Sequence, residues 1–291
     1  MLFSTQKVGV ISAPVSTALR FSTWALSAAL LWAGASQAQV SLSPMKIEVK
    51  TNRGQAQGII NITNTSNETF RARVYAESFT YNRDKGFETL PSSPSDLRPY
   101  LQFSPRELVV PPGTTRRVRL NARLAPNLPN GEYRTMIFTE PLKQNSVTDA
   151  NGNKTIIITR VGSAFFVRKG DVRPNLTVDS ARWNAEAKKI QILVRNTGKA
   201  SAYPYIKWTL KQGGTVVKTG EALDTGIVPD GDRNLILNQS KKDELALSPG
   251  TYQLSGELLW GEDNDKSKLP FKLDLTVPGG NSTTSPTRNK R

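Results

Sequence analysis

The residues this 291-residue chain has for acid–base or nucleophilic chemistry are carboxylates, lysines, hydroxyls and tyrosines, because it contains no histidine and no cysteine. Those two absences exclude Ser-His-Asp and Cys-His nucleophiles and zinc sites of the usual Cys/His kind. No pair of carboxylates stands out as a glycosidase acid and base. The stretches "DANGNK" and "GEDNDK" are similar in composition to calcium loops, but neither has the required Asp-x-Asn/Asp-x-Asn/Asp-Gly spacing with a closing glutamate. Both read better as hairpin turns. Arg116, Arg117, Arg119 and Arg123 raise the question of nucleic acid. Three of the four alternate with apolar residues, which describes a solvated sheet face, so no nucleic-acid partner is expected. The chain is read as a non-enzyme that needs no cofactor and no metal.

If the work is not catalysis, location and shape carry it. The first 38 residues contain no aspartate or glutamate; Lys7 and Arg20 precede the largely apolar "FSTWALSAALLWAGA", and "SQA" follows. That order predicts a signal peptide over 1–38, cleaved after Ala38. The apolar run is shorter than the ~20 residues of a spanning helix, so an integral membrane protein is not expected. Removing Lys7 and Arg20 lowers the formal charge from +15 to +13, which favours acidic partners. An exported chain without cysteine, rich in Asn and Thr, points to the periplasm or cell envelope of a bacterium.

Period-two hydrophobicity dominates the remainder. In "FRARVYA", Phe70, Ala72, Val74 and Ala76 alternate with polar or larger residues; Val118, Leu120, Ala122 and Leu124 do so in "RVRLNARL". "YQLSGELLW" and "FKLDLTV" repeat the pattern. Alternation over short runs broken by Gly, Pro and Asn predicts an all-β protein of half-buried antiparallel strands. An internal repeat sharpens this. "INITNTSNETFRARVYA" and "ILVRNTGKASAYPYIKWTL" share a strand, an Asn-Thr turn and a strand. "LVVPPGTTRRVRLNARL" is answered by "IVPDGDRNLILN", and "NGEYRTMIF" by "PGTYQLSGELLW". Two tandem immunoglobulin-like β-sandwiches follow: 39–168 and 172–278, joined near "VRKGDVRPN", with a disordered basic tail over 279–291. Tyr133 and Tyr252 stand just after Pro and Gly, where such a sandwich places a tyrosine whose hydroxyl bonds back to the preceding corner.

The phrases "VSLSPMKIEVK…GIINITNTSNETFRARVYA", "YLQFSPRELVVPPGTTRRVRL" and "LPNGEYRTMIFTEP" resemble, in order, the N-terminal domain of periplasmic pilus assembly chaperones (PapD-like). "FFVRKGDVRP" is similar to that family's junction into its second domain. The resemblance covers residues 40–174 well, and 175–278 only as a second immunoglobulin-like module. It implies a chaperone that lends an edge strand to an incomplete pilin-like subunit and holds the subunit's C-terminal carboxylate on two basic residues. An outer-membrane usher is the further partner it implies.

Carried over residue by residue, the first carboxylate anchor falls on Lys46, where the family usually has arginine. The second falls on Ala164, a departure; Arg160 and Arg168 are the candidates to replace it. The resemblance places the lent strand in "KTIIITRVGSAFF", with Ile156, Ile157 and Ile158 at its start. An ungapped reading turns Thr155, Ile157 and Thr159 toward the client; the run also reads as a strand buried on both faces. The resemblance implies a cis bond before Pro105. A second functional reading remains open: a structural or adhesive immunoglobulin-like envelope protein gripping surface polyanions or proteins.

Overall fold

The structure, a computed structural model, describes residues 40–143, 145–148, 154–157, 159–223, 226–238, 245–261 and 267–279. The expected signal peptide, Ile158 and nearly all of the expected tail lie outside the described residues, as does most of each calcium-like stretch. Among the described residues the regular structure is β apart from one 3-10 turn at Arg98–Tyr100, and no helix is long and apolar enough to cross a membrane.

The chain runs β1 (Val40–Ser43), β2 (Lys46–Lys50), β3 (Gln55–Asn64), β4 (Phe70–Asn82), β5 (Gly86–Leu90), β6 (Leu101–Ser104), β7 (Glu107–Val110), β8 (Thr115–Arg123), β9 (Gly131–Pro141), β10 (Asn145–Thr148), β11 (Lys154–Ile157) and β12 (Val161–Lys169). One sheet has the order β1-β3-β8-β6; the other runs β2-β12-β9-β4-β5, with β7 also on β4. Ile60, Ile62, Ala72, Val74, Val118, Leu120, Ile137, Phe165 and Val167 fill the space between them. Two stretches, β1–β2 and β6–β7, each serve both sheets. Ser43–Pro44 separates β1 from β2, Ser104–Pro105 separates β6 from β7, and both bonds are cis. The sequence raised only the second.

The second sandwich is formed by β13 (Leu176–Asn184), β14 (Lys189–Asn196), β15 (Tyr205–Gln212), β16 (Thr215–Leu223), β17 (Gly231–Ile236), β18 (Gly250–Trp260) and β19 (Ser267–Val277). Its sheets run β13-β14-β17 and β16-β15-β18-β19. Ile190, Ile192, Val194, Ile206, Trp208, Leu210, Leu254 and Leu258 lie within its core. The architecture is therefore two β-sandwiches. Between them, Gly170 follows β12 with φ +80, a backbone region L side chains avoid.

The internal repeat has a hydrogen-bonding basis. Fully buried Asn64 ends β3 and donates from Nδ2 to the carbonyls of Glu68 (2.7 Å) and Val110 (2.9 Å), while its Oδ1 accepts from the Ser66 N–H at 3.0 Å. Asn196 ends β14 and does the same with Ala200 (2.8 Å), Ile227 (3.0 Å) and the Gly198 N–H (3.0 Å). One side chain thus satisfies a turn and ties it to a distant backbone carbonyl in each half. The tyrosines match as well: Tyr133 Oη donates to the Pro129 carbonyl at 3.0 Å and Tyr252 Oη to the Ser248 carbonyl at 2.9 Å.

Asn64→Asp or Asn196→Asp keeps the acceptor but removes the donor facing two buried carbonyls, and is expected to cost about 1–3 kcal/mol. Ser66→Ala, on the same turn, should cost less. Urea denaturation of the three variants checks the order.

Candidate functional site

Lys46 opens β2, which lies parallel to β12 with Lys46 opposite Ala164. Paired residues of neighbouring strands share a face. Ile47 and Val49 therefore join Phe165 and Val167 in the core, while Lys46, Glu48 and Lys50 stand with Ala164, Phe166 and Arg168 on the outer face. That outer face is not solvated throughout. Phe79, Met136, Phe138, Ala164 and Phe166 form a further apolar cluster there, packed against Tyr75, Tyr81 and Tyr203. Tyr203 precedes the second sandwich's β15 and meets Phe166 edge-on at 6.0 Å between ring centroids. The continuous run of buried residues Ser163–Val167 is the result of cover on both faces.

A cleft of about 600 Å³ opens where the two sandwiches meet, lined by Lys46, Glu48, Lys50, Arg168, Tyr203 and Trp260 among others. The Lys46 ammonium lies 3.9 Å from the Tyr203 ring centroid and 3.4 Å from Glu48, with 39% of its side chain exposed. It is a cation held against an aromatic face with its outer side open, suited to a carboxylate.

Arg168 lines the same cleft but is engaged within it. It donates to Glu48 Oε1 and Glu132 Oε2, both at 3.4 Å, and to the Ser201 carbonyl at 3.2 Å. Arg160 is elsewhere on the outer face. It donates to the Tyr75 hydroxyl and Glu77, both at 3.0 Å, and covers the Phe138 ring at 4.0 Å. The Tyr75 hydroxyl and Arg73, both at 2.6 Å, bind Glu140 in the same group, and the Tyr75 hydrogen bond first, with Arg73 beside it, holds its carboxyl below the ordinary range. Arg160 shares no partner with Lys46. The structure thus brings Lys46 and Arg168 to one cleft and leaves Arg160 outside it, with Arg73, Tyr75, Glu77 and Glu140.

The stretch read as one lent strand is divided. β11 pairs with β10 in a hairpin of its own, Ile157 opposite Asn145 and Ile156 opposite Ser146, and Thr159–Arg160 separates it from β12. On β12, pairing with β2 begins only at Ala164, whose N–H donates to the Met45 carbonyl at 2.9 Å. Upstream, Val161–Ser163 pairs with β9 on one side. Among the described residues no strand pairs with it on the other. Alternation along a strand points the Gly162 backbone the same way as that of Ala164, toward this open edge.

The buried centre of the junction was not visible in the sequence. Glu132, 4% exposed, accepts from the Ser201 N–H at 2.8 Å and from the Ser201 hydroxyl, and faces Arg168 and Arg134. Burial pushes the Glu132 carboxyl up and the Arg134 guanidinium down, each outweighing their mutual attraction. A polar residue at the start of a strand reads as solvated. Only the fold places Glu132 under the second sandwich. A second tie lies at the β4–β5 turn: Arg83 Nε donates to Asp232 at 2.8 Å, and the Asn234 N–H donates to the Arg83 carbonyl at 3.0 Å.

No family model and no curated protein matches the sequence. Among solved structures, the chain is similar to the class 5 fimbriae chaperone CfaA at 14% identity and a TM-score of 0.46, covering 82% of this chain and 99% of that one. A structure of the chaperone-tip adhesin complex of CFA/I fimbriae biogenesis matches at 13% identity and TM-score 0.45, covering 83% and 100%. The CsuC-CsuE chaperone-tip adhesion subunit complex of Acinetobacter baumannii matches at 12% and 0.42, covering 68% and 90%.

Glu132→Ala leaves Arg134 buried without its carboxylate and is expected to cost about 3–5 kcal/mol. The sign of the pH effect follows from the raised carboxyl. The folded chain holds that proton more tightly than the unfolded chain, so this contribution is complete below the ordinary value of about 4.3 and is lost as pH rises toward the raised one. Urea titrations between pH 4 and 7 should show that downward slope in the parent relative to Glu132→Ala.

Proposed function

We propose that this protein is a periplasmic chaperone for the assembly of pilus or other surface subunits, and that it binds them by lending a strand edge. The observation that carries this reading is the coincidence of two features. Among the described residues the edge of β12 is open up to Ser163, and the cation Lys46 stands where that edge ends. A client strand added along Val161–Ser163 would run beside backbone groups that, among the described residues, have no strand on that side, and its terminal carboxylate would arrive at Lys46. Main-chain pairing supplies affinity with little dependence on client sequence. It also covers the client's own exposed edge, an aggregation hazard in an unfinished subunit. The motif resemblance to pilus chaperones supports the same assignment, as does the expected export signal.

The roles divide by residue. Lys46 is the carboxylate anchor. Arg168 holds the cleft in shape through Glu48, Glu132 and Ser201, which leaves it less free for a client. Ala164 supplies no charge, so a single lysine with an aromatic backing replaces a two-cation clamp. Lysine offers a point charge where arginine would offer a fork, and this favours tolerance of client position over a fixed two-pronged contact. Ile156, Ile157 and Ile158 belong to the lent strand, with Ile157 turned to the client by alternation, and an usher is the later recipient of the complex. The chemistry needs neither cofactor nor nucleotide.

The test is capture of envelope proteins by the parent and two variants, with melting temperatures measured alongside. Ile157→Asp puts an unpaired carboxylate into an apolar client groove at a cost of several kcal/mol, and should abolish capture without lowering the melting temperature. Lys46→Ala removes one charge-assisted contact, about 1.5–3 kcal/mol, and should weaken capture roughly tenfold to a hundredfold. The loss at Lys46 should shrink at high salt while that at Ile157 should not. If both variants retain the same partners at parental levels, strand lending is wrong.

A further inference from the structure

The outer face of the β1-β3-β8-β6 sheet has a composition that the chaperone reading does not use. None of its four strands contains an aspartate or glutamate. β8 turns Arg117, Arg119 and Arg123 outward, since Val118, Leu120 and Ala122 between them are buried. At about 3.4 Å per residue the three guanidinium groups lie on one line about 20 Å long. Register places Asn61 beside Arg117, Ile59 beside Arg119 and Gln55 beside Arg123. Amides therefore flank the row, and Ile59, 46% exposed, stands at its centre. Among the described residues none of the three arginines has an ion pair. Five arginines elsewhere on the molecule are ion-paired: Arg73 with Glu140, Arg83 with Asp232, Arg98 with Asp96, Arg160 with Glu77 and Arg195 with Asp179.

We propose that this sheet face docks the protein on an anionic phospholipid bilayer. Charge complementarity selects the partner: a row of unpaired cations with no acid on the face is attracted to a negative surface. Extent selects a surface rather than a small ligand, because outward-facing side chains on a sheet form no enclosing pocket. Arginine forks and flanking amides supply donors for phosphate oxygens, and the exposed isoleucine meets the interface between headgroups and chains. The face lies on the far side of the core from Lys46 and Ala164, so docking leaves the cleft and the open edge accessible. The inference does not depend on strand lending, since its evidence is a different sheet and its readout contains no client.

Vesicle co-sedimentation tests it, with phosphatidylcholine vesicles containing either no phosphatidylglycerol or 30 mol% of it, in 50 mM salt. Three proteins with the same termini are compared: the parent, Arg117→Gln/Arg119→Gln/Arg123→Gln, and a charge-matched control, Lys85→Gln/Lys207→Gln/Lys272→Gln, altered at exposed positions away from this sheet. The parent should bind only the anionic vesicles, and less at 300 mM salt. The arginine variant should lose about fivefold per residue, roughly a hundredfold in all, while the control stays within a few-fold of the parent. The proposal is overturned if the parent ignores phosphatidylglycerol or the arginine variant binds like the parent. It is equally overturned if the control loses as much, or if the arginines retain single-stranded DNA but no vesicle.

Discussion

Residues 40–50 divide their backbone hydrogen bonds between two sheets, and the rest of the first sandwich is arranged around that division. The Val40–Ser43 half closes one sheet against β3; the Lys46–Lys50 half closes the other against β12. Eleven residues cannot cover the whole length of both edges. The second half reaches only from Ala164 onward, and among the described residues no strand covers the β12 edge upstream. A strand that stayed with one sheet would have closed that edge and carried Lys46 away from it. The open edge and the cation at its end therefore come from one choice of hydrogen-bond partners.

The second constraint is the buried carboxylate at the junction. Glu132 gathers Ser201 from one sandwich and Arg168 from the other's last strand, and Arg168 in turn holds Glu48 beside Lys46. Tyr203, two residues beyond Ser201, gives Lys46 its aromatic backing. The position of Lys46 thus depends on a buried polar network that must be satisfied as a whole, because a half-satisfied network in a low-dielectric interior is more costly than an apolar one. The same network explains why Arg168, though it lines the cleft, is a poor substitute for a cation at position 164.

Much of the strand architecture was legible because most strands are half-buried and alternate strictly. Phe70, Ala72 and Val74, or Val118, Leu120 and Ala122, announce their inward face by spacing alone. The duplicated turn could be read because one buried Asn and one corner Tyr recur at matching places. β9 and β12 were harder: the outer cluster around Phe79 and Phe166 buries them on both faces, which erases the period of two. That is why Ser163–Phe166 reads as part of a single lent strand. Of the candidate site, Lys46 and Ala164 were singled out through motif order, and the structure places them opposite each other. Glu132, Ser201 and Tyr203 were not, because nothing in local sequence says that a glutamate opening a strand will be covered by a turn some seventy residues later.

Amide hydrogen exchange at Gly162, in the isolated protein and in the complex it forms with an envelope subunit, tests the central claim most directly. Ala164, whose N–H is already bonded to the Met45 carbonyl, is the internal reference. The account predicts that the Gly162 amide exchanges rapidly in the isolated protein and becomes strongly protected in the complex, while Ala164 is protected in both. A Gly162 amide that is already slow in the isolated protein, or that gains no protection when a subunit is bound, would contradict it.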